Sequence, residues 1–246
     1  MAEIAIIGGT GLTSLSNIEL TGKEVVSTPY GPPSAALRSG VLQGHEVVFL
    51  PRHGSGHTIP PHKVNFRANL WALKHIGVKC IIAVAAVGGI RSDMAPGQIV
   101  FPNQIIDYTW GRQSTFFETD LSEVTHIDFT YPYTESLRRA LIASAREAGI
   151  NAVENGTYGA TQGPRLESAA EINRLEGDGC DIVGMTGMPE AALARELKLE
   201  YATCAVVANW AAGRAPGTIT MEEIDLNLKS GMEKVKKLLG AVIPIL

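Results

Sequence analysis

The chain has 246 residues, 45% of them hydrophobic, enough to bury a substantial core in one large domain. Its 21 Lys and Arg against 25 Asp and Glu leave a formal net charge of −4, which argues against nucleic acid as a partner and makes any anionic ligand depend on local positive groups. Cys80, Cys180 and Cys204 are odd in number, sit in apolar surroundings and lack metal-ligand spacing; with no basic leader and no apolar run long enough to cross a bilayer, the expectation is a soluble, cytoplasmic protein without disulfides, membrane span or metal site.

Ile4 to Ile7 is a short β-branched run ended by Gly8-Gly9-Thr10-Gly11, which predicts a buried strand and a tight turn; His45 to Leu50 and Cys80 to Val87 repeat the form. Between them, Phe66, Leu70, Trp71 and Leu73 fall at helical spacing within Val64 to Ile76, with Gly77 as the stop. Thr134 is placed to cap a helix carrying Leu137, Leu141, Ile142 and Ala145 on one stripe, closed by Gly149. Val153 to Ala160 reads as extended, Glu167 to Leu175 as a helix, Asp181 to Met185 as a strand, and Pro189 as the first residue of a helix reaching Leu197. Tyr201 to Val207 is a further buried strand. Thr220-Met221-Glu222-Glu223 matches a capping box and opens a terminal helix expected to turn Leu226, Met232, Val235 and Leu239 inward. The alternation predicts an α/β fold, a single domain over residues 1–246 around a central sheet.

Ligands of such sheets collect at the carboxyl ends of strands, and Thr10, Arg52, Gly88, Met185 and Asn209 each follow a predicted strand, so one cleft could hold them all. Glycine amides, a hydroxyl, a guanidinium and an imidazole, from Gly8 to Gly11, Arg52-His53 and Thr186, suit an oxyanion. Taken singly, a turn glycine cluster and a solvated Arg-His pair are the commoner readings. A dinucleotide fingerprint would need glycine or alanine at position 14, where Ser14 stands, and a helix directly after, where Thr28-Pro29-Tyr30-Gly31-Pro32-Pro33 is turn chemistry instead; a nicotinamide oxidoreductase is therefore disfavoured. His57 and His62 have no carboxylate or cysteine at ligand spacing. Val87-Gly88-Gly89 indicates close backbone approach, a bulge or a packing crossover. Asn209, an amide ending an apolar strand, needs partners.

The whole chain resembles the purine nucleoside phosphorylase and methylthioadenosine phosphorylase family, in its trimeric branch. The segments that carry the resemblance are Ile6-Ile7-Gly8-Gly9-Thr10-Gly11, Thr28-Pro29-Tyr30-Gly31, Pro51-Arg52-His53-Gly54, Asn65 to Leu73, Thr161-Gln162-Gly163-Pro164-Arg165, Gly184-Met185-Thr186 and Pro189-Glu190. The resemblance implies a mixed central sheet flanked by helices, a homotrimer or dimer of trimers, and phosphorolysis in purine salvage: inorganic phosphate, with no other cofactor, attacks the sugar C1′ and the base leaves. Carried over by position, it implies that Thr10, Arg52, His53 and Thr186 hold phosphate, helped by the backbone near Ala85 and Ala86, and that Met185 packs on the sugar. A cationic ribosyl transition state favours an anion on one face and hydrogen bonds to the departing purine on the other.

By the same resemblance, Glu167 and the loop Asn209-Trp210-Ala211 match the 6-oxopurine enzymes. A carboxylate facing N1–H rewards hypoxanthine and penalises adenine, and Asn209 can serve N7 or O6. Ser168 follows Glu167 in the base segment, and Leu166 stands where an aromatic residue usually faces the base, with Trp210 able to compensate. Met221 takes the place of a histidine that meets a 5′-hydroxyl, which suits a methylthio group. His126 lies in a segment resembling the one that reaches into a neighbouring subunit. The combination points to methylthioinosine, with methylthioadenosine and inosine-type nucleosides as alternatives.

Overall fold

In chain order the computed structural model, which describes residues 2–9, 19–119 and 121–246, forms β1 (Ile4–Gly8), β2 (Glu19–Glu24), β3 (Leu37–Leu42), β4 (His45–Pro51), α1 (Phe66–His75), β5 (Cys80–Gly89), β6 (Ile99–Val100), β7 (Gln104–Asp107), α2 (Glu135–Glu147), β8 (Ala152–Val153), β9 (Thr157–Ala160), α3 (Ala169–Gly177), β10 (Ile182–Gly184), α4 (Gly187–Glu196), β11 (Glu200–Trp210) and α5 (Met221–Val242). Thr10 and Gly11 lie outside the described residues.

The strands join one mixed sheet in the order β2-β3-β4-β1-β5-β10-β9-β7, with β11 on the other edge of β5 and leading on to β6 and β8. β5 runs parallel to both β1 and β11. Both faces of these strands are covered, which is why they read as unbroken apolar runs rather than alternating ones. One face packs under α1 and α4, through Phe66, Leu70, Leu73, Ala191 and Leu193; the other packs under α2 and α5, through Leu137, Leu141, Leu228, Met232, Val235 and Leu239. Full burial of each such leucine or valine is worth roughly 1.5–3 kcal/mol, so this covering holds the sheet flat side in.

Two irregularities in β5 and β11 create the site. β1 leaves β5 after Ala83, and the same edge is taken up by β10 only at Gly88 and Gly89, antiparallel, opposite Val183 and Ile182. Residues 84–87 therefore have no ladder partner on that edge. On the opposite edge the register of β11 slips between Val207 and Asn209, with one extra residue, Ala208, in β11. A bulge of this kind reverses the alternation of side chains, so Asn209 turns to the face of Val206 and Ala208 instead of the face of Val207. Gly88 sits where three strands converge: a Cβ there would lie 3.1 Å from Val183 Cγ1 and 3.4 Å from Ala211 Cα.

Several expectations change. β2 and β3 form an edge meander that carries no strong alternation in sequence, because charged and glycine residues interrupt it (ELTGKE, LRSGVL). The extended run to Ala160 is two short strands broken at Gly156. Thr134 occupies the N-cap position of α2 but makes no side-chain cap; its hydroxyl accepts from the Tyr201 N–H at 3.0 Å. Leu226 is 70% exposed, one step off the stripe formed by Leu228, Met232, Val235 and Leu239. The capping of α5 by Thr220 is present, its hydroxyl accepting from Glu223 N at 3.2 Å.

Candidate active site

The gap beside residues 84–87 is filled by Arg52, which follows β4 and is 2% exposed. Its Nη1 donates to the otherwise unpaired Val84 carbonyl at 2.9 Å, while Nε and Nη2 donate to the two carboxylate oxygens of Glu190 at 2.7 and 2.8 Å. Glu190 is fully buried in α4 and also accepts from the Tyr201 hydroxyl at 2.8 Å. Burial works against the charge on Arg52, and Glu190 more than offsets it, so the guanidinium stays protonated. The Nε side of the Arg52 fork is thus already committed to Glu190, so Arg52 is not the solvated side chain of the alternative reading; one N–H each on Nη1 and Nη2 remains for a ligand. Two residues beyond Val84, by strand alternation, Ala86 presents its backbone to the same edge, and alone in its stretch of β5 its side chain is exposed.

His53, next in the chain, has Nδ1 2.9 Å from the Ile59 carbonyl, so Nδ1 carries the hydrogen and Nε2 the lone pair. Burial first, and then the charge of Arg52, push its pKa down to about 4. At neutral pH it is an uncharged acceptor, fitted to a protonated oxygen of an oxyanion. Its ring backs onto the glycine turn: a Cβ on Gly9 would come 3.1 Å from His53 Cδ2.

Thr186, 8% exposed, begins α4 without capping it by its side chain, and Met188 (φ −119°, ψ 141°) delays regular helix to Pro189. Its N–H donates to the hydroxyl of buried Tyr158 at 3.4 Å. The Tyr158 hydroxyl thus takes up the N-cap amide of α4 in place of a side-chain cap.

Arg52, His53, Ala85, Ala86, Met185 and Thr186 line one end of a cavity of about 730 Å³, and Leu166, Glu167, Asn209, Ala211 and Met221 line the rest of it. Glu167 accepts from the Thr161 hydroxyl at 2.6 Å through Oε1, which fixes the carboxylate in the cavity lining. Asn209 donates from Nδ2 to the Trp210 carbonyl at 2.7 Å, holding its amide plane. Met221, at the first turn of α5, joins Ile219, Ile224, Leu228 and Met232 in a mostly apolar wall that also includes Asp225.

Three sequence-predicted residues stand apart. Trp210 lines an adjoining recess with Leu166, Glu167 and Asn209 rather than the main cavity. Ser168 is the N-cap of α3, its hydroxyl accepting from Glu171 N at 3.2 Å in a complete capping box, and it does not line the cavity. His126 is exposed and outside the cavity of its own chain. Glu190, Tyr158, Tyr201 and Arg112 carry the site without having been read as functional. Glu190 alone gave a signal, a carboxylate four residues beyond Thr186 inside an apolar helix.

Asn65 and Asn69, prominent in sequence, are structural. Asn65 caps α1 by accepting from Ala68 N and ties down the preceding turn by donating to the Tyr30 carbonyl at 2.7 Å; Asn69 accepts from Ser34 N at 2.8 Å. Among the described residues no cluster of three His, Cys, Asp or Glu side chains could hold a metal ion, and no helix is long and apolar enough to cross a membrane.

Strand-edge amides and a buried arginine at one end, with a fixed carboxylate and carboxamide at the other, define a site for an oxyanion beside a flat hydrogen-bonding ring. The chain belongs to the phosphorylase superfamily, whose family model matches residues 3–244. It is 56% identical over 243 residues, 99% of both chains, to a probable S-methyl-5′-thioinosine phosphorylase of Pseudomonas syringae pv. tomato. It is 46% identical over 251 residues to the 6-oxopurine nucleoside phosphorylase of Pyrococcus furiosus, spanning 100% of this chain and 94% of that one. Among solved structures, methylthioadenosine phosphorylase from Schistosoma mansoni in complex with adenine superposes with a TM-score of 0.95 at 33% identity, covering 100% of this chain and 92% of that one.

Proposed function

We propose that this single-domain protein catalyses phosphorolysis of a purine nucleoside, converting S-methyl-5′-thioinosine and phosphate to hypoxanthine and 5-methylthioribose 1-phosphate. The observation that carries the reading is the continuity of one cavity from Arg52 and Thr186, past Met185, to Glu167 and Asn209, with an apolar wall at Met221. Phosphate lies against the Thr186 segment, the strand edge at Ala86 and the remaining Arg52 donors, and His53 Nε2 accepts from its hydroxyl; the assignment of Thr10 to phosphate rests on the sequence alone. As the bond from C1′ to the base stretches, the ribosyl cation is held against this anion, and the charge growing on the purine is met by the remaining Asn209 N–H at N7 or O6. No covalent intermediate is needed.

Glu167 sets the base. Its Oε2 accepts from N1–H of a 6-oxopurine, whereas adenine presents a lone pair there and leaves the carboxylate unmatched. Met221 and its apolar neighbours outnumber Asp225, the carboxylate on that wall, and favour a methylthio group over a hydroxyl. The names of the bacterial and archaeal relatives support a 6-oxo preference; methylthioadenosine is the runner-up, in keeping with the solved relative. Inorganic phosphate is the co-substrate, and the working form is a cytoplasmic homotrimer, or a dimer of trimers, in which exposed His126 borders a neighbour's cavity. The test is release of free base from methylthioinosine, methylthioadenosine, inosine and guanosine, each with and without phosphate. Fastest release from methylthioinosine, and only with phosphate, is expected; equal release in phosphate-free buffer would defeat the proposal.

A further inference from the structure

The oxyanion end has no net positive charge from Arg52 and His53: Glu190 neutralises the first, and the second is uncharged at neutral pH. One cation beside it is not neutralised in this way. Arg112, half-buried in the irregular segment between β7 and α2, uses all five N–H donors without meeting a carboxylate. Nη1 donates to the carbonyls of Met185 (2.9 Å) and Met188 (2.6 Å), and Nη2 to those of Thr161 (3.2 Å) and Gln162 (2.8 Å). Nε donates to Gln162 Oε1 at 3.1 Å, and the guanidinium stacks 5.6 Å over the Phe66 ring. Burial pulls its pKa down, and the more distant charge of Asp107 only partly opposes this.

We infer that Arg112 is a positioning residue that clamps the oxyanion-side loop to the base-side loop and holds a positive charge there on carbonyl oxygens rather than on a carboxylate. The two pairs of carbonyls belong to different walls of the cavity. Met185 and Met188 flank Thr186; Thr161 and Gln162 lead to Leu166 and Glu167, and Thr161 also holds the Glu167 carboxylate. The walls touch in front of the clamp as well: Gly163 has φ +60°, and a Cβ there would come 2.4 Å from Met185 Sδ. The planar fork of a guanidinium can serve four carbonyls at once, which an ammonium cannot. The Met185 carbonyl and the Thr186 N–H are one peptide unit, so a cation on the carbonyl polarises that N–H, which donates to the Tyr158 hydroxyl.

This inference rests on the phosphorolysis reading, and two readouts separate their failures. The first is kinetics on methylthioinosine and phosphate; the second is the rise in melting temperature caused by inorganic phosphate, which needs no turnover. In Arg112→Ala the KM for phosphate rises about 10-fold and kcat falls about 100-fold, as expected for misplaced reacting groups, and the phosphate-induced rise in melting temperature disappears. Millimolar guanidinium returns both, and Arg112→Lys, which keeps the charge but not the fork, stays impaired. If wild type shows the phosphate-induced rise but releases no base, the phosphorolysis reading fails while Arg112 is still judged by the melting data. A folded Arg112→Ala with wild-type phosphate response, or one whose losses guanidinium does not return, overturns the inference; should the alanine variant not fold, an Arg112→Lys enzyme with wild-type KM, kcat and phosphate response does the same.

Discussion

At the oxyanion end Arg52 is 2% and Glu190 0% exposed, and each hydrogen bond between them is part of what closes the gap in the sheet. At the nucleoside end Leu166 is 41% and Met221 66% exposed, on a loop and on the first turn of a helix. The first region cannot be altered without disturbing the fold, since its side chains stand in for missing ladder partners. The second can change its chemistry at little structural cost, because its side chains end in the cavity and touch few others. A scaffold of this kind keeps the attacking anion constant while exchanging the base and the sugar substituent it accepts.

The largest expected effect breaks the buried end. Arg52→Ala leaves the Glu190 carboxylate unpaired in the interior and should cost about 3–5 kcal/mol of stability, together with a raised KM for phosphate. Chemical denaturation measures the first and steady-state kinetics the second; a loss below about 1 kcal/mol would mean that the ion pair does not brace the sheet.

At the open end, Glu167→Ser with Asn209→Asp removes the acceptor for N1–H and places a carboxylate at N7. The ratio of kcat/KM for methylthioinosine to that for methylthioadenosine should fall by on the order of 10- to 100-fold, with the melting temperature little changed. An unmoved ratio would remove both residues from base recognition. Met221→His should shift preference from methylthioinosine toward inosine by about 10-fold, the worth of one hydrogen bond exchanged for one apolar contact. Competition between the two nucleosides reads it, and a constant ratio would take α5 out of the 5′ pocket. The smallest effect belongs to Ser168→Ala, which loses a helix cap worth about 1 kcal/mol and should leave kcat/KM for every nucleoside as it was. A change in base preference there would return Ser168 to the site.

Much of this was legible along the chain. Apolar runs at Ile4, His45, Cys80 and Tyr201 announced strands buried on both faces, the periods of α1, α2 and α5 announced their inward stripes, and Arg52, Met185 and Asn209 stood at strand ends where a cleft was expected, whereas Glu167 entered only through the family resemblance. The cap at Ser168 was not legible, because a hydroxyl beside a cavity carboxylate reads the same in sequence whether it lines the cavity or caps the next helix. Leu226 misled because one apolar residue off the stripe is indistinguishable from one on it until the helix has a rotation.

Local pattern determined the elements, since side-chain spacing reports which face of a strand or helix must leave water, and it determined which polar residues would end up where strands stop. Only the tertiary structure decided how they are used. The parting of β1 from β5, the bulge at Ala208 that turns Asn209 over, the capture of Arg52 by Glu190 across 138 residues and the gathering of four carbonyls by Arg112 are long-range pairings. No neighbour in sequence can signal them, because each exists only to satisfy a buried polar group that the folded sheet itself creates.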